Sequence, residues 1–357
     1  LVMDDCECFE NRLLDGGSSV SPAKGTVVYS EDYAYLLITN SLFEKHQRVS
    51  SYGDGGVLYS GKFANISFIN CNFNENDANN GGVAFVDEWS NVTFTNCTFK
   101  QNEAKSNGGV VYLKSNGNIE FHQCMAYENT LTIPSSSYTS PGDGSVLYFE
   151  GPGSVVVSNS YFRNNTAAGD GCFYLKLTSI ALSVVDTQFI HNKAYGNGGA
   201  IYRTSGFSPG PAKLVHIKNC TFANNVAGYD YNYASTTSSA YSKYGGSLYF
   251  GGYASSNNEI IIANTVFVNS IAAKGGAIFI ARTRNTSISN CIFKQNEAKF
   301  DAGAIYFNNI DGEIMIENTT FDENVALKNH GGSLYTSLHY FTKIAHFAIH
   351  NSSFINN

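Results

Sequence analysis

One pattern constrains this chain more than any other: a Gly-Gly unit whose copies mostly return every 26 to 30 residues. Aligned on that pair, each copy reads Gly-Gly-small-apolar-aromatic, a variable stretch, then apolar-x-apolar-x-Asn-(Cys/Ser/Thr)-x-Phe-x-x-Asn. The clearest copies run from Gly81-Gly82-Val83-Ala84-Phe85 to Asn96-Cys97-Thr98-Phe99-Lys100-Gln101-Asn102, and from Gly275-Gly276-Ala277-Ile278-Phe279 to Asn290-Cys291-Ile292-Phe293-Lys294-Gln295-Asn296. First glycines fall at 55, 81, 108, 198, 245, 275 and 331, with Gly144-Ser145, Gly171-Cys172 and Ala302-Gly303 as degenerate copies. A unit of about 27 residues, holding three short alternating runs punctuated by Gly or Asn, cannot close a core alone. Stacked copies can. Each run then pairs in parallel with the same run one coil away, about 4.8 Å along the axis. The predicted fold is all-β, a right-handed single-stranded parallel β-helix (solenoid) of about eleven coils, roughly 50 Å long.

Stacking turns equivalent positions into ladders. The fourth slot of the glycine run (Leu58, Val111, Leu147, Ile201, Leu248, Ile278, Ile305, Leu334) should point inward as an aliphatic stack. The Phe slot (Phe73, Phe99, Phe162, Phe189, Phe222, Phe267, Phe293, Phe321, Phe354) should form an aromatic stack in the core. Coil four breaks it with Ala126, and Met125 or Tyr127 is the expected compensation. The Asn before Cys/Ser/Thr (Asn70, Asn96, Asn159, Asn219, Asn264, Asn290, Asn318, Asn351) suits a left-handed turn, its amide bonding the next coil's amide; Gln123 and Asp186 stand in elsewhere. The fifth slot (Tyr59, Phe85, Tyr112, Tyr148, Tyr202, Tyr249, Phe279, Tyr306, Tyr335) alternates outward. That row is either an exposed association stripe or a partly buried one.

The strings Gly-Gly-Ala-Ile at Gly198–Ile201 and Gly275–Ile278, with Phe-x-x-Asn at Phe73–Asn76, Phe99–Asn102, Phe189–Asn192 and Phe321–Asn324, carry a family resemblance. They resemble the paired repeats of chlamydial polymorphic outer-membrane proteins and related pectin-lyase-like β-helices, over nearly all of the chain after about residue 40. The resemblance implies surface display and adhesion. No β-barrel transporter pattern follows the repeats, which speaks against a bacterial autotransporter.

The domain reading is residues 1–39 as an N-terminal cap or assembly segment and 40–357 as the β-helix, with inserted loops at 130–142, 205–213 and 228–244. Net charge is −7 without a basic run, which argues against nucleic acid. No run of eighteen apolar residues suggests a membrane span, and Leu1-Val2-Met3-Asp4-Asp5 reads as a processed or trimmed start rather than a signal peptide.

Of the eight cysteines, Cys71, Cys97, Cys124, Cys220 and Cys291 share a slot that elsewhere holds Ser160, Thr187, Thr265, Thr319 and Ser352. Such a slot wants a small side chain, so free buried thiols are expected. Cys6 and Cys8 precede the recognisable repeats and are candidates for an external disulfide. Eight Asn-x-Ser/Thr sequons occur. Asn96, Asn219, Asn318 and Asn351 coincide with the turn ladder, whereas Asn65, Asn91 and Asn285, at a strand entry, and Asn164 are the better glycan acceptors.

Catalysis on this scaffold needs carboxylates at matching slots of adjacent coils. Asp54, Asp143, Asp170 and Asp301 precede glycine pairs, and Asn80, Asn107 and Asn197 replace them elsewhere, which is turn composition. Asp143 with Asp170 is the best dyad, for acid chemistry or for calcium; His330 reads as a turn residue. No catalytic residue, metal or cofactor is therefore assigned. The loop at 228–244 carries Tyr229, Tyr231, Tyr233, Tyr241 and Tyr244, a composition suited to recognition. The leading reading is a non-catalytic extracellular or cell-surface structural or adhesive glycoprotein, self-associating head to tail through its coil ends. Glycans or other extracellular proteins are the further partners. The alternatives are a polysaccharide lyase or glycoside hydrolase, and an adhesin working through the Tyr loop.

Overall fold

The computed structural model describes residues 1–13, 24–48, 53–132, 142–176, 180–205, 214–228, 243–252, 256–310, 312–337 and 346–357. Among them the regular elements are short β-strands, and no helix is long and apolar enough to cross a membrane. The chain divides into two compact units, Leu1–Tyr174 and Leu175–Asn357.

In the first unit, one parallel sheet runs through Val2–Asp4, Tyr35–Thr39, Asn65–Ile69, Asn91–Thr95, Gly117–His122 and Gly153–Ser158. A second takes Glu7–Phe9, Leu42–Glu44, Asn72–Asn74, Thr98–Lys100, Met125–Tyr127 and Tyr161–Arg163. A third begins Val28–Ser30, Leu58–Ser60, Ala84–Val86, Val111–Leu113 and Leu147–Phe149. Short strands such as Asp77–Asn80 and Glu103–Asn107 close each turn. The second unit repeats the scheme, with Leu214–Lys218, Thr283–Ser289 and Glu313–Glu317 in one sheet and Thr221–Ala223, Val266–Val268, Ile292–Lys294 and Thr320–Asp322 in another. This is the parallel β-helix expected.

Register is in step with the repeat. Phe43, Phe73 and Phe99 are direct partners, and so are Phe222, Phe267, Phe293 and Phe321. Their rings stack at 4.8–5.2 Å in fully buried positions. Each pair adds about 1 kcal/mol beyond its buried area. The fourth-slot aliphatics are buried as expected, with Leu334 half-buried. The glycine pair has a double cause: Gly81 sits at φ 63°, and a Cβ on Gly82 would strike the Gly109 carbonyl of the next coil. Turn asparagines behave as expected too. Asn70 and Asn96 have φ of 56° and 52°, and the Asn96 amide donates to Asn70 at 2.9 Å.

Three expectations need correction, and one open alternative is decided. Strand pairing begins at Val2, within the segment 1–39 assigned to a cap or assembly role: Val2–Asp4 pairs with Leu37–Thr39, and Glu7–Phe9 with Leu42–Glu44. Cys6 and Cys8 therefore lie inside the repeat. Cys6 follows left-handed Asp5 and bonds through its backbone N–H to Ser41, so it takes the Cys/Ser/Thr slot, while Cys8 pairs with Phe43 in the Phe slot. Cys8 in place of the usual Phe hid this in the sequence. At coil four, Met125 is exposed and does not fill the space beside Ala126. Phe173, in the aliphatic slot, packs edge-on to Phe162 at 4.8 Å and near Phe121 at 5.8 Å, bringing a ring where the neighbouring coil lacks one. Of the two readings of the fifth-slot row, the partly buried one holds. Its rings stack at 4.8–5.0 Å from Tyr59 to Tyr174, leaving Tyr59, Phe85 and Tyr148 less than 10% accessible. In the second unit Tyr244 stacks on Phe279 of the same row at 4.6 Å.

A further ladder runs inside. The last Asn of each Phe-x-x-Asn string (Asn76, Asn102, Asn129, Asn165) is wholly buried. Asn102 shows the pattern: its side-chain amide donates to the Phe73 carbonyl and to Asn129, and its oxygen accepts from the backbone and side chain of Asn76. Every buried polar atom of the rung is thereby satisfied, which is the condition for keeping amides in a core.

Candidate functional site

In several coils the turn that follows the glycine-run strand holds one left-handed residue, and at Tyr33, Phe63, Trp89, Arg282 and Asn309 its N–H donates to a carbonyl one coil on. Asn116 fills it in one coil of the first unit, at φ 55°. Three coils of that unit place an aromatic there instead: Tyr33, Phe63 and Trp89, at φ 64°, 57° and 63°. Bulky side chains in this region cost on the order of 1–3 kcal/mol each. Nor does burial offset that cost, since the three are 76%, 41% and 53% exposed. They stack with centroids 4.9 and 6.3 Å apart and planes within 13°. The Tyr33 hydroxyl and the Trp89 indole N–H have no hydrogen-bond partner among the described residues.

Charged residues flank the row because the same turns carry them. The Lys62 backbone N–H donates to Asp32 at 2.7 Å, and its ammonium lies 3.0 Å from Glu88. Lys114 reaches Asp87 at 3.2 Å. These half-exposed pairs contribute less than about 1 kcal/mol each but tie successive turns together. Beside them opens a cleft of about 320 Å³ lined by Lys24, Tyr29, Glu31, Asp32, Tyr59, Gly61 and Asp87. The Lys24 ammonium sits 4.3 Å over the Tyr59 ring. Glu31 is exposed and without a protein partner among the described residues. An apolar row with polar tips, next to a polar cleft, is the composition of a binding site. Sequence reasoning missed it. The available signal was an aromatic two residues before Asn65 and Asn91, where the next coil has Asn116 before Asn118.

The residues singled out from sequence lie elsewhere. Asn65, Asn91 and Asn285 are exposed at strand entries, and Asn91 donates to Asn65 at 3.0 Å. Asn96, Asn219, Asn318 and Asn351 are exposed in the turn ladder, and Asn164 is half-buried at φ 55°. Asp143 accepts the Asp170 backbone N–H at 2.8 Å, and Asp143 N–H donates to Asn107, which is turn chemistry. His330 lies 3.4 Å from Asp301 beside left-handed Gly331. Of the Tyr loop, Tyr229, Tyr231, Tyr233 and Tyr241 fall outside the described residues. The cysteines are free thiols, buried except at Cys6 and Cys8. Cys97 is pushed up to about 12 by the Cys124 thiol, with burial adding to it.

His46 is the odd member of the inner amide ladder. It accepts the Asn11 N–H at Nδ1, its buried Nε2 has no well-formed hydrogen bond among the described residues, and burial lowers its pKa to about 4.

Comparison with known proteins agrees with this architecture. Residues 11–182 match the right handed beta helix region, and residues 186–202 match the Chlamydia polymorphic membrane protein repeat. No solved structure matches. Among curated proteins, a probable autotransporter, YfaL of Escherichia coli (strain K12), is 28% identical over 181 residues. The autotransporter set aside on sequence grounds thus returns as a similarity, and one that covers 45% of this chain but 13% of that protein's length.

Proposed function

We propose that this chain is a non-catalytic adhesive region of an extracellular or cell-surface protein, a β-helix that holds a recognition face on a rigid ladder. One observation carries the reading: Tyr33, Phe63 and Trp89 keep exposed, stacked rings at backbone angles that disfavour them. Strain retained on the surface without a packing return is a mark of function. The likeness to an autotransporter and to a membrane-protein repeat supports surface display. Exposed Asn65, Asn91 and Asn285 support its being a glycoprotein. Asn65 and Asn91 occupy neighbouring rungs, so bulky glycans there compete for space.

The test is adhesion. Beads coated with the full chain should be retained on cell monolayers under flow, and the chain should release no reducing ends from neutral or uronate polysaccharides. Retention equal to uncoated beads, or sustained depolymerisation, overturns the proposal.

A further inference from the structure

The adhesive reading leaves the ligand open, and the geometry points to a neutral glycan, bound along the turns Glu31–Tyr33, Gly61–Phe63 and Asp87–Trp89. This inference rests on that reading and names its target chemistry. Sugars present two kinds of surface: apolar C–H patches and rows of hydroxyls. The exposed rings Tyr33, Phe63 and Trp89 provide the apolar strip, and they lie on successive coils, so the strip runs along the solenoid as an extended oligosaccharide would. Their polar tips, the Tyr33 hydroxyl and the Trp89 indole N–H, are free to bond sugar oxygens.

The adjoining cleft provides the other half. Glu31, Asp32 and Asp87 line it, and carboxylates accept hydrogen bonds from hydroxyls. Against these three acids stands Lys24, whose ammonium is already drawn over Tyr59. Lys62 and Lys114 are committed to Glu88 and Asp87. The net negative lining disfavours uronates and sulfated chains by like-charge repulsion, which selects an uncharged saccharide. A protein partner would need a larger area of dry contact than three half-exposed rings with charged flanks offer.

Trp89 is the chain's single tryptophan, so its emission reports this site directly. Titrating the full chain with cellohexaose, mannohexaose and xylohexaose should give a saturable change in tryptophan emission with at least one of them. Trigalacturonate and a heparin hexasaccharide should give at least tenfold weaker responses. For the variant, Phe63→Asn with Tyr33→Asn keeps the reporter and introduces the residue that the neighbouring coil carries at the same backbone angle. It should fold as wild type and lose at least tenfold in affinity. No saturable response to any neutral hexasaccharide, a response led by the anionic probes, or an unchanged affinity in the variant each overturns the inference. If wild-type beads adhere to cells and the double variant adheres equally, the adhesive reading stands and this site falls. If saccharide binding is found but beads do not adhere, the reverse holds.

Discussion

Two rows of the first unit run through the same coils and obey opposite rules. Inside, Asn76, Asn102, Asn129 and Asn165 repeat, with His46 the exception, because each rung completes the hydrogen bonds of its neighbours. Outside, the left-handed turn position changes from Tyr33, Phe63 and Trp89 to Asn116, and in the second unit to Arg282 and Asn309, each at φ 52–64°. At these rungs of the inner row, losing the amide leaves buried groups of the neighbouring coils stranded. The outer row does vary, so its aromatics reflect something other than folding. Uniformity marks the scaffold, and costly departure from it marks use.

Breaking the inner row should have the largest effect. Asn102→Leu strands the Asn76 donors and the Phe73 carbonyl, and should cost on the order of 4 kcal/mol in urea denaturation of the full chain. A loss below about 1 kcal/mol would mean that the inner row is not the structural one.

His46 tests the same row at its single exception in the first unit. The folded histidine stays neutral down to about pH 4, whereas its ordinary value is 6.5. Its pKa is depressed on folding, so below pH 6.5 the unfolded chain binds a proton that the native one refuses. Stability should therefore fall as pH drops from 6.5 to 4, by about 3 kcal/mol in total. His46→Asn, which restores the amide rung, should flatten that slope. An unchanged slope between pH 6.5 and 4 would place the acid sensitivity elsewhere.

The outer row should respond in the opposite direction and more weakly. Trp89→Asn relieves left-handed strain but gives up the stack on Phe63, so stability should remain within about 1 kcal/mol of wild type, on the stabilising side. A loss of 3 kcal/mol or more would show the ring to be structural after all.

The smallest effect is expected at the thiol slot. Cys97→Ser should shift stability by less than about 1 kcal/mol, because Ser160 already serves there, bonding the Ser158 carbonyl at 2.8 Å. Native Cys97, held protonated and buried, should resist iodoacetamide at pH 8 and react only on denaturation. Rapid labelling of the folded chain would contradict this packing.

Much of the fold was legible because ladders repeat. Phe73 and Phe99 announce the same environment by occupying the same slot, and Asn70 and Asn96 announce the same turn. Legibility failed where a coil departs from consensus. Cys8 fills the Phe slot under an irregular name, and Phe173 brings a ring toward Phe121 where Ala126 supplies none. It failed again for the proposed binding face, since Tyr33, Phe63 and Trp89 are 30 and 26 residues apart and no local motif joins them.

The chain's own sequence determined the period, the inward and outward alternation and the identity of each ladder, because parallel pairing in register stacks like on like. Tertiary structure alone decided which outward rings are covered and which are bare. Tyr59 and Phe85 lie in a closely stacked strand row and shield one another, whereas Tyr33 and Trp89 stand on turns that project into solvent. Alternation assigns a side chain to a face, but only the neighbouring coils determine how much water reaches it.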